Sequence, residues 1–194
     1  MDKICLIGDS IRMGYQNILK NMIKDKYDVI FDEVDNGRFV QYELWQLNQL
    51  LGKYGPFKIV VFNSGYWDMN RESPMEEGLN PLPIYLEGLK RIVDLIRSTG
   101  GIPIFVTTPP IYDAGKSKDN TGTNAALTYK NEWVIEYNDA AKSLMEKEKV
   151  EVVDIYPVLL KGDKYYKCPD MLHLTYEGYK IMSDMIKESI EKHI

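Results

Sequence analysis

Five short apolar runs, each followed by a longer amphipathic stretch, constrain this chain more than any other feature. Ile4–Ile7, Tyr27–Phe31, Lys58–Phe62, Ile102–Thr107 and Val150–Ile155 have the length of strands. The first and third are continuous enough in apolar character to be buried on both faces, as in a parallel sheet. Helical phase follows them. Ile11, Tyr15, Ile18, Leu19, Met22 and Ile23 share one face of a run from Ser10 to about Asp25, and Val40, Leu44, Leu47 and Leu51 share one face of Phe39–Leu51. Leu82–Ser98, opened by Pro81, then Tyr129–Lys147 and Tyr176–Lys192 complete the set. Strict alternation implies right-handed crossovers and a parallel sheet with helices on both faces. We therefore expect one α/β domain over residues 1–194, a three-layer sandwich on a five-stranded parallel sheet. A polar stretch from Pro109-Pro110 to about Thr128 interrupts the pattern, and a loop of that length is expected to be mobile or to cover a site.

Composition narrows the function classes. A chain of 194 residues can bury a sizeable core. Its net charge of −5, with no Lys/Arg cluster interleaved with aromatics, argues against a nucleic-acid partner. Two cysteines, Cys5 in a core strand and Cys168 in a loop, are too few for a disulfide framework and lack the paired spacing of a zinc site. With only His173 and His193 besides, we expect no metal and no cofactor. No apolar run approaches a membrane span. The N-terminus enters a strand without a signal-like segment, so a cytoplasmic protein with no membrane partner is expected.

Chemistry-bearing residues fall where strands end. Gly8-Asp9-Ser10 joins the first strand to the first helix, at the edge where ligands bind in open α/β sheets. Ser10 there is either a helix cap, a role Asp9 could equally fill, or a nucleophile beside unpaired helix amides. Asp170-Met171-Leu172-His173 precedes the last helix and should reach the same edge. His173 suits general-base work near neutral pH, and Asp170 can fold back to fix its tautomer. Alternatively, both brace the helix start. Arg12 and Arg38 flank the proposed turns and read as surface ion pairs or as contacts for an anionic group.

Gly8-Asp9-Ser10, Gly37 after the second strand, Gly65-x-x-Asp68 after the third and Asp170-x-x-His173 near the end occur in an order that resembles the SGNH hydrolases, the GDSL-type esterase and lipase superfamily. The resemblance implies a flavodoxin-like sheet of order 2-1-3-4-5. It implies Ser10 as nucleophile and oxyanion donor, a second donor in the Gly37 amide, His173 as base and Asp170 as its partner. The third block of that family usually supplies an oxyanion asparagine, and Trp67 stands at its position here. Trp67 or Asn63 is then the candidate third donor. Tyr66, Trp67, Tyr112 and Arg38 are candidates for the substrate wall.

The expected function is a serine esterase acting on a small-molecule ester with a short acyl group, such as acetyl on a carbohydrate, through an acyl-enzyme on Ser10. A lysophospholipase, thioesterase or acyltransferase would use the same site. A non-catalytic module binding a carbohydrate or an acylated ligand is the alternative from another class, kept open by Trp67. Oligomeric state is not set by the sequence.

Overall fold

The computed structural model describes residues 1–72, 75–111, 116–117, 127–161 and 172–193. In chain order the elements are β1 (Asp2–Gly8), α1 (Ser10–Ile23), β2 (Tyr27–Ile30), α2 (Val40–Tyr54), β3 (Ile59–Asn63), α3 (Tyr66–Met69), β4 (Arg71–Glu72), α4 (Leu82–Ser98), β5 (Ile102–Val106), β6 (Lys116–Ser117), β7 (Leu127–Thr128), α5 (Asn131–Lys147), β8 (Glu151–Val153), α6 (Tyr156–Leu159) and α7 (Tyr176–Glu191).

Five strands form a parallel sheet in the order β2-β1-β3-β5-β8. Counting these strands alone, that is 2-1-3-4-5, as the resemblance implied. Ile4 to Ile7 and Val61 to Phe62 are fully buried because both faces of the sheet are covered. On one face α1 packs against α7; on the other α2, α4 and α5 pack in a row. Phe62 and Phe105 meet across neighbouring strands with ring centroids 5.3 Å apart. Cys5 is a buried free thiol in this core, and burial pushes its pKa up.

Winding reverses direction between β1 and β3. The chain passes from β1 outward to β2, then returns to the other side of β1 as β3. Gly8 and Asn63 are register partners at the carboxyl ends of these two strands. Such a reversal opens a crevice at the strand ends, and the candidate site lies there.

The five strands and five long helices fall where the periodicity predicts, with ends shifted by a few residues. The structure adds α3, α6 and a small antiparallel sheet of order β4-β7-β6. In this sheet two pieces of the polar stretch after Pro110 pair with each other and with the segment after β3. Strand β8 is shorter than expected because Thr107 intervenes at its end: its Oγ1 accepts from the Ile155 amide at 3.0 Å.

Candidate active site

Asp9 resolves the question of which residue caps α1. It is the N-cap, and its Oδ1 accepts from the Ile11 amide at 2.9 Å. Ser10 is thereby left as the first helical residue, with its hydroxyl available for another partner. That partner is His173, whose Nε2 lies 2.7 Å from Ser10 Oγ across 163 positions of sequence. Leu172 and Leu174 are buried on either side of the half-buried His173. Thr175 then caps α7, its side chain accepting from the Gly178 amide. The histidine is thus held between two apolar pins and a helix start. Asp170, its expected partner, and Tyr112 lie outside the described residues, as does Cys168.

Behind Ser10 lies a buried polar network. Asp9 is 1% exposed, and its Oδ1 also accepts from Asn63 Nδ2 at 2.8 Å. Asn63 Oδ1 in turn accepts from the Tyr15 hydroxyl at 3.1 Å. Burial pushes the Asp9 carboxyl up to about 6, against the opposing pull of the Ile11 and Asn63 hydrogen bonds and of the nearby His173 and Arg12. Asp68 plays a matching part for α2. Phe39, the N-cap, offers no side-chain acceptor, and Asp68 Oδ1 accepts from the Val40 amide at 3.2 Å. Asn80 and Ser64 donate to the same carboxylate at 2.7 and 2.8 Å. Asp68 is likewise pushed up to about 6, chiefly by burial.

The other candidates have partners of their own. The Gly37 amide, expected to face an oxyanion, donates instead to the Gly8 carbonyl at 2.9 Å. Gly37 is glycine because of this approach: a Cβ there would stand 2.4 Å from Gly8 O. The positive φ of this turn falls on Arg38 (53°). Asn63 faces the network behind the turn, with its amide nitrogen already donating to Asp9. Tyr66 is 1% exposed, and its hydroxyl donates to the Pro109 carbonyl at 2.6 Å, so it ties α3 to the segment after β5. Trp67, next to it, is half-buried. Arg38 forms an ion pair with Asp35 at 3.3 Å and lies 4.5 Å over the Tyr42 ring.

Arg12 is no surface residue. It is fully buried and donates to the Asp32 and Asp35 carbonyls at 2.6 and 2.5 Å, and to Gln16. Its guanidinium thereby fastens the loop after β2 to α1. Sequence reading missed this because a lone Arg four residues after Gly8 carries no burial signal. Glu43, fully buried in the first turn of α2, was missed for the same reason.

A parallel sheet of this order, with a serine and a histidine paired at its carboxyl edge, defines the SGNH-hydrolase class of α/β proteins. Residues 6–181 match the GDSL-like Lipase/Acylhydrolase family, and the chain belongs to that family. It is 25% identical over 144 residues to the GDSL esterase/lipase CPRD49 of Arabidopsis thaliana, covering 71% of this chain and 55% of that protein. It is 28% identical over 110 residues to the GDSL esterase/lipase WDL1 of Oryza sativa subsp. japonica, covering 55% and 42%. The chain thus spans about half the length of the curated relatives it matches. Among solved structures, the lipase/acylhydrolase from Enterococcus faecalis superimposes with a TM-score of 0.78 at 22% identity, over 99% of this chain and 96% of that one. Among the described residues no helix is long and apolar enough to cross a membrane.

Proposed function

We propose that this protein is a serine esterase that works through an acyl-enzyme on Ser10. The observation that carries this reading is the 2.7 Å separation of Ser10 Oγ and His173 Nε2 at the sheet's carboxyl edge. With a proton on Nδ1, Nε2 accepts the Ser10 proton as Oγ attacks the ester carbonyl. The imidazolium then protonates the departing alcohol, and neutral His173 activates water for the second half. Asp170 is the proposed partner of Nδ1. Oxyanion stabilisation falls to the Ser10 amide at the start of α1, where the helix leaves amides unpaired. Trp67 is the proposed additional donor or acyl-pocket wall.

The proposed substrate is a short-acyl ester, such as an acetyl group on a carbohydrate, and the half-buried Trp67 beside the strand ends supports an aromatic wall for it. Comparing acetyl and octanoyl esters of one alcohol tests this: faster acetyl turnover is expected, and faster octanoyl turnover overturns it. The esterase reading is tested by a fluorophosphonate, which needs no knowledge of the substrate. One adduct on Ser10 is expected, absent in His173→Ala. No adduct between pH 6 and 9 in folded protein rejects it. The second reading, a binding module for a carbohydrate or acylated ligand, draws on the Gly37 amide, which is already engaged by Gly8. Each missing oxyanion donor raises an acyl-transfer barrier by about 2.7–4 kcal/mol.

A further inference from the structure

The seam between α2 and α4 lies on the face of the sheet away from α1 and α7, and it is not closed along its length. Gly88 sets its near end: a Cβ there would stand 2.4 Å from Val40 Cγ2, so the two helices touch at this point. Beyond it they stand apart over a groove of about 450 Å³, with half-buried Leu44 and Leu95 at its base and exposed Trp45, Asn48, Arg91 and Asp94 along its sides. Trp45 is 54% exposed, so much of the free energy of burying an indole is still to be gained. The groove is also tied to the catalytic edge twice. Arg38, in the Gly37 turn, lies over the Tyr42 ring, and Tyr42 meets Trp45 with ring centroids 5.4 Å apart. Gln41, at the near end, exchanges hydrogen bonds of 3.1 and 2.8 Å with Asn80, and Asn80 donates to Asp68 beside Trp67.

The lining selects among ligands. Arg91 pairs with Glu87 at 2.5 Å and Asp94 with Lys90 at 2.8 Å, each within one turn of α4. Charge is therefore balanced locally, which gives no attraction to a phosphate or carboxylate. Two leucines are too few anchors for an amphipathic helix, which presents an apolar row over two turns, and the volume is that of a small-ligand site. A sugar ring answers both halves of this chemistry. Its C–H face is apolar and lies flat on an indole, and its hydroxyls both donate and accept, as amide, guanidinium and carboxylate partners require. We propose that the α2–α4 groove is a second carbohydrate site, in which an uncharged saccharide stacks on Trp45 and hydrogen-bonds to Asn48, Arg91 and Asp94. This goes beyond the esterase reading, since binding there needs neither Ser10 nor His173. The two ties to the catalytic edge mean that a polysaccharide seated in the groove is retained beside the serine.

Calorimetric titration of the full chain with xylohexaose, cellohexaose and mannohexaose tests this. None of these probes carries an ester or a charge, so turnover does not enter. Binding of at least one is expected, and Ser10→Ala should bind it as the parent does. Trp45→Ala should weaken binding by about tenfold, what one well-packed aromatic contact is worth. Trp45→Phe, which keeps an aromatic face, should retain most of it, and Asn48→Ala should weaken it as well. Fluorophosphonate labelling of Trp45→Ala should match the parent. No binding of any of the three sugars overturns the proposal. Binding lost in Trp67→Ala but kept in Trp45→Ala overturns it too, by placing the sugar at the catalytic mouth. Self-association in sedimentation that disappears in Trp45→Ala gives the groove to a second copy of the chain instead. Absence of labelling in the parent rejects the esterase reading alone, and the titrations still decide this site.

Discussion

Asp9 and Ser10 divide two tasks that either side chain could perform. Aspartate takes the helix amide, and serine is left for the histidine. Asp9 bears a conflict as a result: burial raises its pKa, while its two hydrogen-bond donors and the nearby His173 and Arg12 pull it down. Replacing it by asparagine separates the two effects, because Oδ1 alone accepts both the Ile11 and Asn63 donors and an amide oxygen can do the same. The folded pKa of about 6 stands above the ordinary 3.8. The folded state therefore binds more protons than the unfolded one between these values, and stability falls as pH rises through that window. Asp9→Asn removes this penalty. It should stabilise the protein at pH 7.5 by roughly 1–3 kcal/mol in urea unfolding and leave it unchanged near pH 3, where Asp9 is protonated in both states. Fluorophosphonate labelling at pH 7.5 should slow in the same variant. Greater stability with undiminished labelling would assign Asp9 to capping alone.

At the scale of elements, the site depends on how closely α7 lies on α1. Gly14, in the middle of α1, meets the ring of Tyr179 on α7 so tightly that a Cβ would stand 2.0 Å from it. His173 is three residues before the start of α7, so this contact helps set its reach to Ser10. Glycine is disfavoured inside a helix by about 1 kcal/mol relative to alanine, which implies that the packing outweighs propensity here. Gly14→Ala should destabilise by about 1–3 kcal/mol despite the better helix former. It should also lower Ser10 labelling, and Tyr179→Leu should recover part of both losses. A neutral or stabilising Gly14→Ala would show that the two helices are not so closely held.

Legibility follows the same division of scale. The long helices and core strands were legible because apolar spacing repeats over many residues, as at Ile11–Tyr15–Leu19. Helix α3 and strands β4, β6 and β7 have two to four residues and no period to read. Ser10 and His173 were legible as motif ends. The reassignments of Gly37, Tyr66 and Arg12 were not, because each rests on a backbone carbonyl (Gly8, Pro109, Asp32 and Asp35), and sequence does not say where a carbonyl points.

For the molecule as a whole, the site is a product of sheet order. Ser10 follows the second strand of the sheet, and His173 returns to it only after the chain has built the opposite edge at β8. No local segment contains both groups, so their pairing reports on the closed fold. Two buried polar clusters add to this dependence: Asp9, Asn63 and Tyr15 tie the start of α1 to β3, and Asp68 ties α3 to the start of α2. One hydrophobic core runs through all five strands of the parallel sheet, which favours loss of structure in one cooperative step. Labelling of Ser10 and the far-ultraviolet helical signal should therefore be lost at the same urea concentration. His173, however, is tied in by α7, the last helix, and terminal elements can open below the global transition. Earlier loss of labelling, with helical signal retained, would show that α7 leaves α1 before the sheet breaks. Tyr179→Ala would then widen the gap between the two midpoints, whereas Asp68→Ala, which acts on the other face of the sheet, would move both together.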